Sequence, residues 1–188
     1  MDNKDRKIEF VINNLKQQDE QTRRDRAVCW MEIKPEELIP NEHFAPVSAE
    51  CNKLYRDSHY HGCILLAQAL AEEYARFLCR KNPPLKVHQK SFETNISIIS
   101  KKKLISNESI KALKKAYEDR HPYHHLDPSI KKNCVELQKL AKEKVLSIHM
   151  VEREIFARIV NRGGITPIHP QYWDIKNGKI EGFLQCEP

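Results

Sequence analysis

Between Cys63 and Arg80 the chain is apolar on almost every side of a helical wheel. Ile64, Leu65, Leu66, Leu70, Tyr74, Phe77 and Leu78 point in all directions, with Glu72, Glu73 and Arg76 set among them. A helix of that kind has no solvent face to offer and must be enclosed by other helices. Its charges must then be paired or lie at the edge of the packing. The run is interrupted at Gln68, which makes it too short to cross a bilayer. Pro83-Pro84 ends it. One enclosed helix in a chain of 188 residues predicts a single helical core, with room for a small appendage.

The flanking segments supply candidate partners. Ile8, Val11, Ile12 and Leu15 recur at helical spacing, followed by a polar run and then Ala27, Val28, Trp30, Met31 and Ile33. This predicts two helices, or one bent helix, ending before Pro35. Pro35, Pro40 and Pro46 mark a connection, after which Ser48 can cap a helix carrying Ala49, Leu54 and Tyr55. Gly62 is expected in a short break before the enclosed helix. Phe92, Ile96, Ile99 and Leu104 have helical spacing, and Ser106 or Asn107 opens a helix through Ile110, Leu113 and Tyr117 that gives way near Pro122. Asp127-Pro128 reads as an N-cap with proline in the first turn. The helix behind it extends about thirty residues with a bend or break near His149, and Gly163-Gly164 stops it. Tyr172 to Phe183, with Asn177-Gly178 in the middle, resembles a short hairpin. The fold class expected is all-α: an up-and-down bundle of about four to six helices with a hairpin-like C-terminal tail. Residues 1–47 form an N-terminal helical extension, 48–162 the bundle and 163–188 the tail.

Five glycines in the whole chain argue against a glycine-rich phosphate loop and against an all-β sandwich. Six cysteines form no Cys-x-x-Cys pair, and no apolar leader follows Met1, so they are expected to be reduced cytosolic thiols. Cys63 and Cys79 fall among core residues. The net charge of +6 is local. Residues 1–100 hold 15 basic and 15 acidic side chains and residues 151–188 hold 5 of each, whereas residues 101–150 hold 12 basic against 6 acidic. That segment also carries His121, His124, His125 and His149. A local basic excess suits a polyanion such as RNA, with Lys101, Lys102, Lys103, Lys114 and Lys115 as candidate contacts; the plainer reading is a solvated lysine-rich helix face.

The segment Asp119-Arg120-His121-Pro122-Tyr123-His124-His125 brings a permanent cation and titrating imidazoles to the join between two predicted helices. Cleavage of RNA by its own 2′-hydroxyl needs a base for the hydroxyl proton and a cation for the charge growing on the phosphate oxygens. Histidine suits the first task and arginine the second. The nucleophile belongs to the substrate, so the chemistry requires no metal or cofactor. The Arg-x4-His spacing alone decides little. A second copy, Arg56 to His61, is present, and about 0.5 chance matches are expected in a chain of this composition.

The order of these features resembles the HEPN superfamily of helical nucleotide-binding domains. Leu54-Tyr55, His59-Tyr60-His61-Gly62 and Ile64 through Glu72 resemble its first helix junction. Arg120-His121-x3-His125 resembles its signature of arginine, a polar residue, three variable residues and histidine, placed before the last main helix. The resemblance covers roughly residues 48–155. It implies an up-and-down bundle that dimerises, with the signature lining the dimer cleft, and a metal-independent endoribonuclease serving defence or stress. Arg120 would bind the scissile phosphate, His125 would act as base or acid, and His121 would orient them. Glu72 could face the site as an accessory, and a regulatory protein could be a partner.

Other readings stay open. A HEPN-like module could bind RNA, a nucleotide or a protein without catalysis, and a plain helical protein could carry a solubilising basic face. Arg120 could simply pair with Asp119 or Asp127, and His125 could be a structural histidine beside Asp127. Arg56-Asp57 reads as an exposed ion pair at a helix end. His59, His61 and Cys63 lack a fourth metal ligand at a recognisable spacing. Trp30, Tyr172 and Trp173 are expected to pack rather than to stack on bases. An accessible basic cleft holding Arg120 and His125 together would favour the enzyme.

Overall fold

In a computed structural model of the chain, residues 2–35, 38–82, 91–125, 127, 133–162, 164–176, 179–180 and 183–184 are described. Helix α1 (Asn3–Ile33) leads to strand β1 (Leu38–Ile39) and helices α2 (Phe44–Arg56), α3 (Tyr60–Lys81), α4 (Phe92–Lys102) and α5 (Asn107–Tyr117). A five-residue helix α6 (Arg120–His124) and the long α7 (Cys134–Ile155) complete the helical part. The fold is thus the expected all-α bundle. The enclosed run is its centre: α3 packs against α2, α4, α5, α6 and α7. Tyr74 of α3 stacks on Phe44 of α2 at 4.1 Å, and Phe77 meets the same ring edge-on.

Helix α1 is continuous, which resolves the alternative of two helices. Its polar middle is carried by solvent and by ion pairs one turn apart, such as Arg23 with Asp19 and Glu20. Only Cys29 and Ile33 of α1 are buried. Lys34 closes it in the left-handed region at φ 44°. Helix α2 starts earlier than Ser48. The Asn41 side chain accepts from the amides of His43 and Phe44 at 3.2 and 3.1 Å, Pro46 sits in the first turn where its missing N–H is harmless, and Ser48 is buried mid-helix. Gly62 is not a break but lies in the first turn of α3; the interruption is at 57–59, with Ser58 at φ 62°. Ser106 caps α5 as expected, accepting from the Ser109 amide.

Helix α7 departs most from expectation. Asn133 caps it, in a reciprocal pair with Glu136 at 3.0 Å each way, so Asp127 is not its cap. Pro128 lies outside the described residues. The helix is 22 residues long and runs unbroken past His149. That side chain is buried, one ring nitrogen 2.8 Å from Asn52 Oδ1 and the other 3.1 Å from the Ile33 carbonyl, joining α7 to α2 and α1. The helix stops at Ile155, well before Gly163-Gly164. Gly164 instead opens strand β3 (Gly164–Pro167) at φ 127°, pairing with β2 (Arg158–Asn161). Gly163 lies outside the described residues.

The expected tail hairpin is present as β4 (Ile175–Lys176) with β5 (Lys179–Ile180); its Asn177-Gly178 turn lies outside the described residues. Strand β6 (Phe183–Leu184) returns to pair with β1. Tyr172 and Trp173 are buried, as packing residues should be. Asn82 donates to the Tyr172 hydroxyl at 2.9 Å, and the Glu42 amide donates to Asp174 at 2.8 Å, so the tail closes over the 38–42 connection. Among the described residues no helix is long and apolar enough to cross a membrane.

Candidate functional site

The site begins where α5 ends. Glu118 and Asp119 turn the chain, Asp119 at φ 58°, a conformation that a non-glycine residue adopts only when its surroundings hold it there. Helix α6 follows at once and lies against α3, anchored by the buried Tyr123. Arg120 is its first residue.

The Arg120 guanidinium meets Glu72 Oε2 at 3.1 Å and donates to the Tyr117 hydroxyl at 3.2 Å, while its carbon lies 5.5 Å from the Tyr117 ring centre. Glu72, expected only as an accessory, thus lies directly against Arg120. Its side chain is only 14% exposed, and its other oxygen bonds Arg76. Arg76 continues to Glu73, and Glu73 to Arg80, giving a ladder of alternating charge along α3 that ends on Arg120. Such pairs contribute little each in water, about 0–1 kcal/mol, but a largely shielded carboxylate orients its partner firmly. The Arg120 Nε is buried with no hydrogen-bond acceptor among the described residues, yet the side chain as a whole is 40% exposed. The cation is therefore held at both terminal nitrogens, while part of the side chain stays open to solvent. Neither Asp119 nor Asp127 is the partner observed for its charge.

His124 ends α6 and His125 stands in the next turn, both exposed. Desolvation first, then the positive charges of Arg120 and His125, push the His124 imidazole below the ordinary value of 6.5, with Glu72 opposing them. His124 therefore shares the electrostatic environment of Arg120, His125 and Glu72, and it stays neutral further into acid than a free histidine. Adjacency to His125 in the sequence does not say which way either side chain turns. The side chain of His121 lies outside the described residues.

A groove of about 490 Å³ runs between α4 and α5, with Ile96 and Ile110 in its wall, Lys101 and Lys114 beside them and Tyr117 at one end. Tyr117 stacks on Phe92 at 3.8 Å and bonds Arg120, so it links the groove to the arginine. Lys102 ends α4 and Lys103 caps it at φ 50°, both exposed. Lys115 lies apart from these. It pairs with Glu143 of α7 and lines a second groove on the other side of α5, with Leu146 and Met150 exposed in it.

The other Arg-x4-His copy is divided by the fold. Arg56 is locked to Asp57 at 2.8 and 2.9 Å at the end of α2 and lies over Trp30 beside α1. His61, by contrast, faces α6, its ring 6.0 Å from that of Tyr123. Among the described residues no group of three or more His, Cys, Asp or Glu could hold a metal ion. Cys63 and Cys79 are fully buried.

No family model matches this chain, and neither does any curated protein or solved structure.

Proposed function

We propose that the chain is a metal-independent endoribonuclease of HEPN type that cleaves single-stranded or loop RNA in the cytoplasm, in defence or a stress response. The observation that carries this reading is the placement of Arg120. It is braced by Glu72 and Tyr117, partly open to solvent, followed four and five residues later by two exposed histidines, and linked through Tyr117 to a groove edged by Lys101 and Lys114. A neutral imidazole, from His124 or His125, removes the proton of a 2′-hydroxyl. The freed oxygen attacks the adjacent phosphorus while the Arg120 guanidinium takes the charge building on the non-bridging oxygens. The bond to the 5′-oxygen breaks, and an imidazolium gives that oxygen a proton. The products are a 2′,3′-cyclic phosphate and a 5′-hydroxyl, and every reacting atom comes from RNA or from these side chains. His121, at the polar position of the signature, belongs to the same reading as the residue that orients the pair. Incubating the purified chain with mixed RNAs in EDTA and assaying for cyclic phosphate ends tests it.

The Arg120–Glu72 pair also favours a second reading, an RNA- or nucleotide-binding module without catalysis. A phosphate must compete with Glu72 for the guanidinium, and a site that never opens would bind without cleaving. RNA bound and left intact would select this reading.

Under either reading the strand tracks the basic face. Replacing Lys101, Lys102 and Lys103 together by alanine removes up to three phosphate contacts. The plot of log affinity against log salt should flatten by about 0.7 per contact, or about 2 in all. An unchanged slope would move the strand to another surface.

The reaction moves two protons, so a second copy of the site supplies the second imidazole without new sequence. The proposed homodimer uses the segments flanking 119–128. The exposed Leu146 and Met150 in the groove between α5 and α7 are the apolar surface available there. Sedimentation at micromolar concentration should give twice the 22.1 kDa chain mass, and a strict monomer would remove the composite site.

A further inference from the structure

Lys144 of α7 is 1% exposed, among the most buried residues of the molecule. Lysine is almost never so placed unless its charge is met. Its Nζ donates to the carbonyls of Lys115, Ala116 and Glu118 at 3.2, 3.1 and 2.6 Å. An ammonium has three N–H donors, whereas a neutral amine has two, so three carbonyls are served only by the charged form. These are the carbonyls left over at the C-terminal end of α5, where the helix dipole favours a cation. An ordinary helix end solves the same problem with glycine or water. Here a long cation is taken from the core-facing side of α7, next to Val145 and Ile148, where an aliphatic residue would pack at no desolvation cost.

What the buried charge secures is the turn that follows. The Glu118 carbonyl accepts a second hydrogen bond, from Gln68 of α3 at 2.9 Å. The next residue, Asp119, is the one held at φ 58°, and the one after it is Arg120. Gln68 and Glu72 are four apart on α3, so they share one face. Gln68 fixes the backbone two residues before Arg120, and Glu72 fixes its guanidinium. We infer that Lys144 is the positioning residue for Arg120: its clamp on the end of α5 holds the α5–α6 turn in the one setting that lays Arg120 against Glu72 and Tyr117. The geometry stands by itself; its consequence for turnover rests on the ribonuclease reading above.

The test uses the full chain with Lys144→Met, which keeps length and apolarity and removes the donors. A second variant, Lys144→Gln, keeps a polar side chain at the position but loses the charge, the reach and one of the three donors. Two signatures are measured in the folded chain, and the resonance position and the kcat–KM split are ones that a loss of global stability would not move. The first is the NMR resonance of the Arg120 Nε–Hε, which is buried in the parent chain and should exchange slowly with water. The second is the split between kcat and KM on an RNA substrate. In the folded Lys144→Met variant the resonance should move to the free-arginine position and exchange at least 10-fold faster. The kcat should drop at least 10-fold with KM within twofold, because the groove lysines are untouched. Lys144→Gln should show the same changes at smaller size. A folded Lys144→Met chain with an unmoved Arg120 resonance and unchanged kcat overturns the inference. If Lys144→Met fails to fold, a Lys144→Gln chain identical to the parent in both signatures overturns it. Should the parent cleave no RNA, the ribonuclease reading falls and the Arg120 resonance alone decides on the clamp. Should Arg120→Ala abolish cleavage while Lys144→Met leaves kcat intact, the reading stands and the clamp falls.

Discussion

Arg120→Ala and His125→Ala should each lower RNA cleavage in EDTA by about 10²-fold or more. That is the usual cost of removing a charge stabiliser aimed at a transition state, or a general base or acid. The two losses should be far from additive, because each residue acts in the same step. Arg56→Ala is the control. Arg56 is 19% exposed, tied to Asp57 and turned toward α1, so its loss should leave turnover within a few-fold. Gel analysis of end-labelled RNA measures all three, and full activity in both the Arg120 and His125 variants ends the assignment. The pH profile carries further information. The His124 imidazole is held below 6.5, so its neutral form persists as pH falls. If His124 is the base, the acid limb of kcat/KM lies below 6.5, and His124→Ala abolishes that limb. If the limb stays in place in His124→Ala, the base is His125.

Tyr74→Ala should be among the most destabilising single substitutions in the chain. The ring is fully buried, stacked on Phe44 and 6.3 Å from Phe156, and its hydroxyl donates to Glu152 at 2.8 Å. Truncating a core aromatic costs about 3–5 kcal/mol, before the lost hydrogen bond to a carboxyl group is counted. Tyr74→Phe keeps the packing and should cost about 1.5–3 kcal/mol. Urea unfolding separates the two, and a Tyr74→Ala chain within about 1 kcal/mol of the parent would show that the α2–α3–α7 core is not where stability resides. Burial and Glu152 push the Tyr74 phenol well above 10. An acid whose folded pKa is raised stabilises the fold below its unfolded pKa and loses that contribution as pH climbs past it. Stability should therefore fall above pH 10, less steeply in Tyr74→Phe. Part of the slope remains because burial raises Tyr55 in the same direction.

Elements with strong local signals were legible from residues alone. The enclosed helix follows from apolar side chains on every face, the start of α5 from Ser106, and the tail hairpin from flanking strand residues around Asn177-Gly178. Boundaries shifted where several local signals competed. Asn41 outbid Ser48 as a cap because its side chain reaches two free amides, and Asn133 with Glu136 formed the reciprocal cap of α7. The helix expected to run to Gly163-Gly164 ends at Ile155, and Gly164, at φ 127°, opens a strand instead.

The amino-acid sequence by itself determined the helical class, the central position of α3 and the concentration of positive charge and histidine in residues 101–150, because periodicity, caps and charge are properties of neighbours along the chain. Tertiary structure alone decided which of two Arg-x4-His copies holds its arginine at a histidine-bearing turn, since that required α3 to bring Glu72 to Arg120 and α1 to set Trp30 beneath Arg56. It also decided the fate of His124, His149 and Lys144. His149 and Lys144 meet partners far along the chain, Lys144 reaching carbonyls 26 to 29 residues away, and His124 feels Glu72 of α3; no local pattern encodes which backbone carbonyl a distant ammonium will find.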